Sequence, residues 1–205
     1  MRGMERDKMR SALMESVIHI VAQEGLENTT TKKIAQRVGV NEVYIYRTCR
    51  DKEDLMKRAF LAEDQEFLQE ILRQFSILKA EEASLETKGR AVWTSCWDYL
   101  MNRPDSCLFY VRYFYSANFN EAVQKKHRLL CQPLLEHLRS EAETEKISET
   151  FLFQILEMSW LFSSKVALGI WKNSQETAEE CFHLLYSMCQ AVPGLTRTPG
   201  GTAGI

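Results

Sequence analysis

The stretch from Thr30 to Leu55, TTKKIAQRVGVNEVYIYRTCRDKEDL, decides the fold. Thr30 is a good N-cap, because a hydroxyl there can accept from a backbone N–H two or three residues on. Ile34, Ala35 and Val38 give the next helix one apolar face, and Ala35 is small enough to let two helices approach closely. Gly39 fits the residue after a helix end, where φ is positive and a Cβ would be strained. Val40 follows as an apolar plug, and Asn41 can cap a second short helix carrying Val43, Tyr44, Tyr46 and Arg47. Asp51 and Asp54 make a capping-box-like start to a third helix. Lys52 sits in its first turn, where a phosphate could also approach the free N–H groups. The pattern reads as a helix-turn-helix with its scaffold, and the second helix of such a unit has the shape to enter a DNA major groove.

Outward from this stretch the texture stays helical, with no strand-like alternation, no internal repeat, and little Pro or Gly before the end. A first helix is expected from about Asp7 to Gln23, with Leu13, Met14, Val17, Ile18 and Val21 as its stripe and Gly25 as its stop. The helix opened by Asp51 is expected to reach about Ile77, followed by a loop near residues 79–87. Pro104 fits a first helical position. Asn118 and Glu121 read as a cap pair opening a helix that contains Pro133, which should kink it. Residues 148–171 are apolar almost all round and 175–192 carry a cleaner stripe, so an antiparallel pair suits a dimer interface formed as a four-helix bundle.

Residues 7–60 resemble the N-terminal domain of TetR-family transcriptional regulators. The matching segments are AQEGLENTTTKKIA, QRVGVNEVYIYRTC and RDKEDLMKRAF, with Gly25, the Thr run, Ile34-Ala35, Gly39-Val40, Ile45-Tyr46 and Lys52-Glu53-x-Leu55 at fixed spacings. The resemblance implies an all-α chain: a three-helix helix-turn-helix DNA-binding domain over residues 1–52, then a helical ligand-binding and dimerisation domain over 53–192. The Gly/Pro/Thr-rich tail 193–205 is expected to be disordered. By motif position, Thr31, Asn41, Val43, Tyr44, Tyr46, Arg47 and Lys52 are the expected DNA contacts. Thr31, Tyr46 and Lys52 would face phosphates, while Asn41, Tyr44 and Arg47 would face base edges. Three positions depart from the family pattern. Glu42 places an acid near the start of the recognition helix, where phosphate repels it unless it accepts from a cytosine amine. Thr48 and Cys49 stand where an aromatic or His and then a Phe are common, so the head is expected to pack less tightly.

Charge is distributed to match. The chain has a formal charge of −2, with 12 Lys+Arg against 9 Asp+Glu in residues 1–60 and 14 against 19 in the remainder. A mildly basic head on an acidic body suits DNA binding at one end only. The six cysteines, at 49, 96, 107, 131, 181 and 189, form neither a CxxC pair nor a disulfide framework. The charged N-terminal stretch lacks the apolar segment of a signal peptide, and Glu157 and Lys165 interrupt the most apolar region. A cytoplasmic protein with reduced thiols and no membrane span is therefore expected.

The family resemblance also implies a cavity for a small hydrophobic or amphipathic effector. Trp93, Trp97, Tyr110, Tyr113, Phe114 and Trp160 are the candidate lining, weighed against plain core packing. His127 and Cys131 share a helix face, half a metal site at most, so no metal or other cofactor is expected. A redox role for Cys181 or Cys189 weighs less than burial as inert thiols. No phosphate-cradling glycine loop, HExxH or nucleophile elbow is present, which argues against an enzyme. The expected function is a ligand-responsive repressor that binds a palindromic operator as a homodimer through residues 148–192. The rivals are a helical regulator that acts through protein partners with degenerate DNA recognition, and a helical-bundle enzyme using the aromatic cavity.

Overall fold

The computed structural model describes residues 2–77, 84–141 and 147–192, and every element in them is a helix. In chain order these are α1 (Arg2–Glu24), α2 (Thr31–Val38), α3 (Val43–Thr48), α4 (Lys52–Ile77), α5 (Leu85–Met101), α6 (Pro104–Phe114), α7 (Glu121–Glu141), α8 (Glu149–Ala167) and α9 (Gln175–Gln190). The tail expected from residue 193 lies outside the described residues.

Two compact units divide the chain. The first takes residues 1–66 and 103–129, the second residues 67–102 and 130–205. The boundary expected between residues 52 and 53 falls inside the first unit. The reason is α6, which packs along α1 and carries its aromatic side chains into that unit's core. Arg112 donates to the Val21 carbonyl at 2.6 Å, near the C-terminal end of α1, where unbonded carbonyls carry partial negative charge. Asp105 accepts from Gln23 at 2.8 Å and lies 2.6 Å from His19 Nδ1.

Phe60 is the centre of the first unit's core. It is fully buried, and its ring stacks on Tyr110 and Tyr113 with centroids 4.6 and 4.8 Å away. Beneath this stack Asp64 is buried but satisfied: Tyr110 donates to it at 3.1 Å, and His127 Nδ1 lies 2.7 Å away. His127 is thus a packed, paired side chain.

In the second unit, Trp93, Trp97, Phe162, Cys181, Phe182 and Leu185 form a buried cluster of α5, α8 and α9. Several element ends differ from the sequence expectation. The helix over 148–171 stops at Ala167, because Gly169 adopts φ +70° and the Ile170 and Trp171 N–H groups turn back to the Lys165 carbonyl. The cap of α7 is Asn120 rather than Asn118; its side chain accepts from Val123 N–H at 3.3 Å. Ser84 caps α5 through Thr87 N–H, starting that helix inside the expected loop.

Candidate DNA-binding face and apolar cavity

The helix-turn-helix is held by local chemistry. Thr30 accepts from Lys33 N–H at 3.2 Å and adopts extended backbone, as an N-cap does. Gly39 takes φ +77°, and Val40 N–H returns to the Ala35 carbonyl at 3.0 Å. Ser16, buried on α1, donates to the Ile34 carbonyl at 3.1 Å and fixes α2 against α1. Asn41 accepts from Val43 N–H at 2.9 Å, so its side-chain carbonyl is engaged in starting α3.

Helix α3 is anchored by one residue. Ile45 is completely buried, while Val43, Tyr44 and Tyr46 are 51, 42 and 57% exposed and Arg47 is also exposed. Large apolar and aromatic groups therefore face solvent together on a six-residue helix. The Arg47 guanidinium lies 5.4 Å above the Tyr44 ring, a cation–π contact that holds both side chains on the outer face. Lys52 opens α4 with its side chain a quarter exposed and its ammonium 3.8 Å from Glu53. Thr31 does not stand open: its hydroxyl donates to the Glu42 carboxylate. The structure therefore groups Val43, Tyr44, Tyr46 and Arg47 on one exposed helix and commits polar atoms of Thr31 and Asn41 within the protein.

Thr48 and Cys49, at the end of α3, both bond to its backbone. Thr48 donates to the Tyr44 carbonyl at 2.8 Å, and buried Cys49 donates its thiol to the Ile45 carbonyl at 3.2 Å. Burial first, then the neighbouring Asp54 charge, pushes the Cys49 thiol up from its ordinary value, so it stays protonated. Asp51 accepts from Asp54 N–H at 2.7 Å; Asp54 in turn accepts from Arg50 N–H at 3.3 Å, one residue before the reciprocal partner of a strict capping box.

The second unit encloses a cavity of about 170 Å³. Phe67 of α4, Trp93 and Cys96 of α5, Leu134 of α7, Ile155 of α8 and Phe182 of α9 are among its lining residues. Two polar side chains of the lining bond to the backbone. Trp93 Nε1 donates to the Ala178 carbonyl at 2.7 Å, and Ser159 Oγ to the Ile155 carbonyl at 2.9 Å. Burial, reinforced by the Glu70 charge, pushes the Cys96 thiol up to about 12, and burial pushes Cys189 up to about 11, so both lining thiols are neutral. Of the six aromatics expected around a ligand, Trp93 lines this cavity and the others do not. Trp97 packs beside Trp93 at 5.6 Å, Trp160 packs edge-on to Phe67 at 4.9 Å, and Tyr110, Tyr113 and Phe114 belong to the first unit's aromatic core. Helical spacing shows which residues turn inward, but a filled core and a cavity wall give the same spacing.

Gly89 of α5 also lines the cavity, and a Cβ there would meet Phe182 Cε2 at an ordinary 3.7 Å. Gly89→Ala is expected to stabilise the protein by about 1 kcal/mol through helix propensity, read as a higher Tm. It should also reduce uptake of an apolar fluorescent probe, because the added methyl narrows the cavity.

Comparison with known proteins agrees with this geometry. Residues 17–59 match the family model described as bacterial regulatory proteins, tetR family. A TetR family transcription regulator from Marinobacter aquaeolei VT8 superposes with TM-score 0.73 at 20% identity, covering 92% of this chain and 98% of that one. A regulator of the same family from Shewanella sp. PV-4 gives TM-score 0.71 at 17% identity over 87% of this chain and 96% of that one. FadR from Bacillus subtilis, solved with stearoyl-CoA, gives TM-score 0.63 at 16% identity, covering 90% of this chain and 98% of that one. Among curated proteins none matches the chain.

Proposed function

We infer that this chain, which carries the TetR-family N-terminal domain on a TetR-type all-helical fold, is a transcriptional regulator rather than an enzyme, and acts as a ligand-responsive repressor. The observation that carries the reading is α3: Ile45 anchors it while Val43, Tyr44, Tyr46 and Arg47 face outward, inside the matched segment. Such a helix placed in a major groove brings Arg47 to guanine edges and Tyr46 to the backbone, with Lys52 on an adjoining phosphate.

The operator is a palindrome read by a homodimer, since two copies of one reading head recognise two equal half-sites about one DNA turn, ~34–36 Å, apart. Leu184 on α9, and Leu168 and Ile170 after α8, are more than half exposed, which supports a partner copy over residues 148–192. The effector is a small hydrophobic molecule or the apolar part of an amphipathic one. A dry apolar cavity of about 150 Å³ suffices for benzene, and the cavity here is about 170 Å³, with Trp93 Nε1 and Ser159 Oγ of its lining bonded to backbone carbonyls. The stearoyl-CoA of the Bacillus subtilis FadR makes an acyl chain the first class to try. The effector shifts DNA binding by its differential affinity for two states of the protein. A cytoplasmic location suits such a regulator, and among the described residues no helix is long and apolar enough to cross a membrane.

Variants of the reading face test this. Lys52→Ala is expected to weaken binding to all duplexes alike and to lower the slope of log affinity against log salt by about 0.9. Arg47→Ala should instead relax preference at particular base pairs, at about 1–3 kcal/mol each. An unchanged affinity and salt slope for Lys52→Ala would remove its phosphate role. Equal loss on every sequence for Arg47→Ala would remove base reading.

A further inference from the structure

We propose that Glu42 stands, in the DNA-free protein, where a phosphate oxygen of bound DNA would stand, and so restrains affinity for every sequence alike. The proposal rests on the DNA-binding reading above and adds an opposing residue to it. Thr31 is the first residue of α2, directly after its cap, and is half-buried. Its hydroxyl is a single donor, and that donor is given to the Glu42 carboxylate eleven residues along the chain. Glu42 immediately precedes α3, the helix that exposes Tyr44, Tyr46 and Arg47.

Two consequences follow from elementary electrostatics. A phosphate that takes the Thr31 hydroxyl must displace a carboxylate, exchanging one charge-assisted hydrogen bond for another with little gain. The displaced carboxylate stays tethered within a few ångströms of the DNA backbone, where like charges repel. Both effects are blind to sequence, because they act at the backbone rather than at base edges. The same contact occupies one oxygen of the Glu42 carboxylate and leaves the other able to accept.

The test is fluorescence anisotropy with a labelled mixed-sequence duplex of about three helical turns, at about 50 and about 200 mM salt. The proteins are the full chain, Glu42→Gln, Glu42→Asp, Thr31→Val and the Thr31→Val/Glu42→Gln double variant, each checked for cooperative thermal unfolding. Glu42→Gln removes the charge and keeps the shape. It is expected to tighten binding about fivefold, the worth of one unit charge near a phosphate at water-like dielectric. Glu42→Asp retains the charge on a shorter stem and should tighten binding less. Thr31→Val should cost more affinity in the Glu42→Gln background than alone, because the charged carboxylate no longer competes for the hydroxyl. Wild-type binding left unchanged or weakened by Glu42→Gln would overturn the proposal while leaving the DNA-binding reading in place. Failure of every variant to bind at either salt would overturn both.

Discussion

Phe60→Ala is expected to destabilise the first unit by about 3–5 kcal/mol, read as a lower midpoint in chemical denaturation at unchanged slope. The ring is fully buried and stacked on Tyr110 and Tyr113, so its loss removes apolar area and leaves a void bordered by rigid aromatics that cannot collapse into it. A domain of this size holds about 5–15 kcal/mol in all. The variant should therefore populate unfolded head at moderate temperature and lose DNA binding without touching the reading face. A loss below about 1 kcal/mol would contradict the placement of α6 in this core.

Asp54→Asn is expected to cost about 2 kcal/mol, discounted because the cations around it are partly solvated. Burial alone would raise the Asp54 carboxyl. Hydrogen bonds from Lys57 and Arg58 and from the Arg50 backbone N–H together outweigh it and hold the group well below the usual carboxylate range. Lys57 and Arg58 approach at 2.8 Å, and the carboxylate is 4% exposed against 23 and 40% for the two cations. The sign follows from linkage. A carboxylate whose folded pKa lies below its unfolded value, ~3.9, contributes stability that is present above that value and lost as pH falls through the folded one. Wild-type Tm should therefore fall more steeply below about pH 4 than that of Asp54→Asn, and parallel curves would show that the Asp54 charge contributes nothing.

The head was legible because its signals are local. Thr30, Gly39, Asn41 and Asp51 each act on backbone groups a few residues away, so residue type and spacing carry the geometry. The end of α8 is equally local: Gly169, at φ +70°, stops the helix inside the apolar run from 148 to 171. What the sequence withheld depends on contacts far apart in the chain. Spacing alone leaves Tyr110, Tyr113 and Phe114 open between cavity wall and core packing; α6 packed along α1 closes Tyr110 and Tyr113 on Phe60. Trp93 lines the cavity with its indole N–H given to the Ala178 carbonyl of α9, a contact 85 residues along the chain. The acid at position 42 was visible as an anomaly, but its pairing with Thr31 required the turn to be closed.

The most direct test of the central claim, that α3 reads duplex DNA, is selection of random duplexes by the purified protein at two salt concentrations. Enrichment of a palindrome with half-sites about one helical turn apart is expected, retained at the higher salt and degraded by Arg47→Ala. Weak, salt-labile binding without any enriched sequence, identical for wild type and Arg47→Ala, would contradict it.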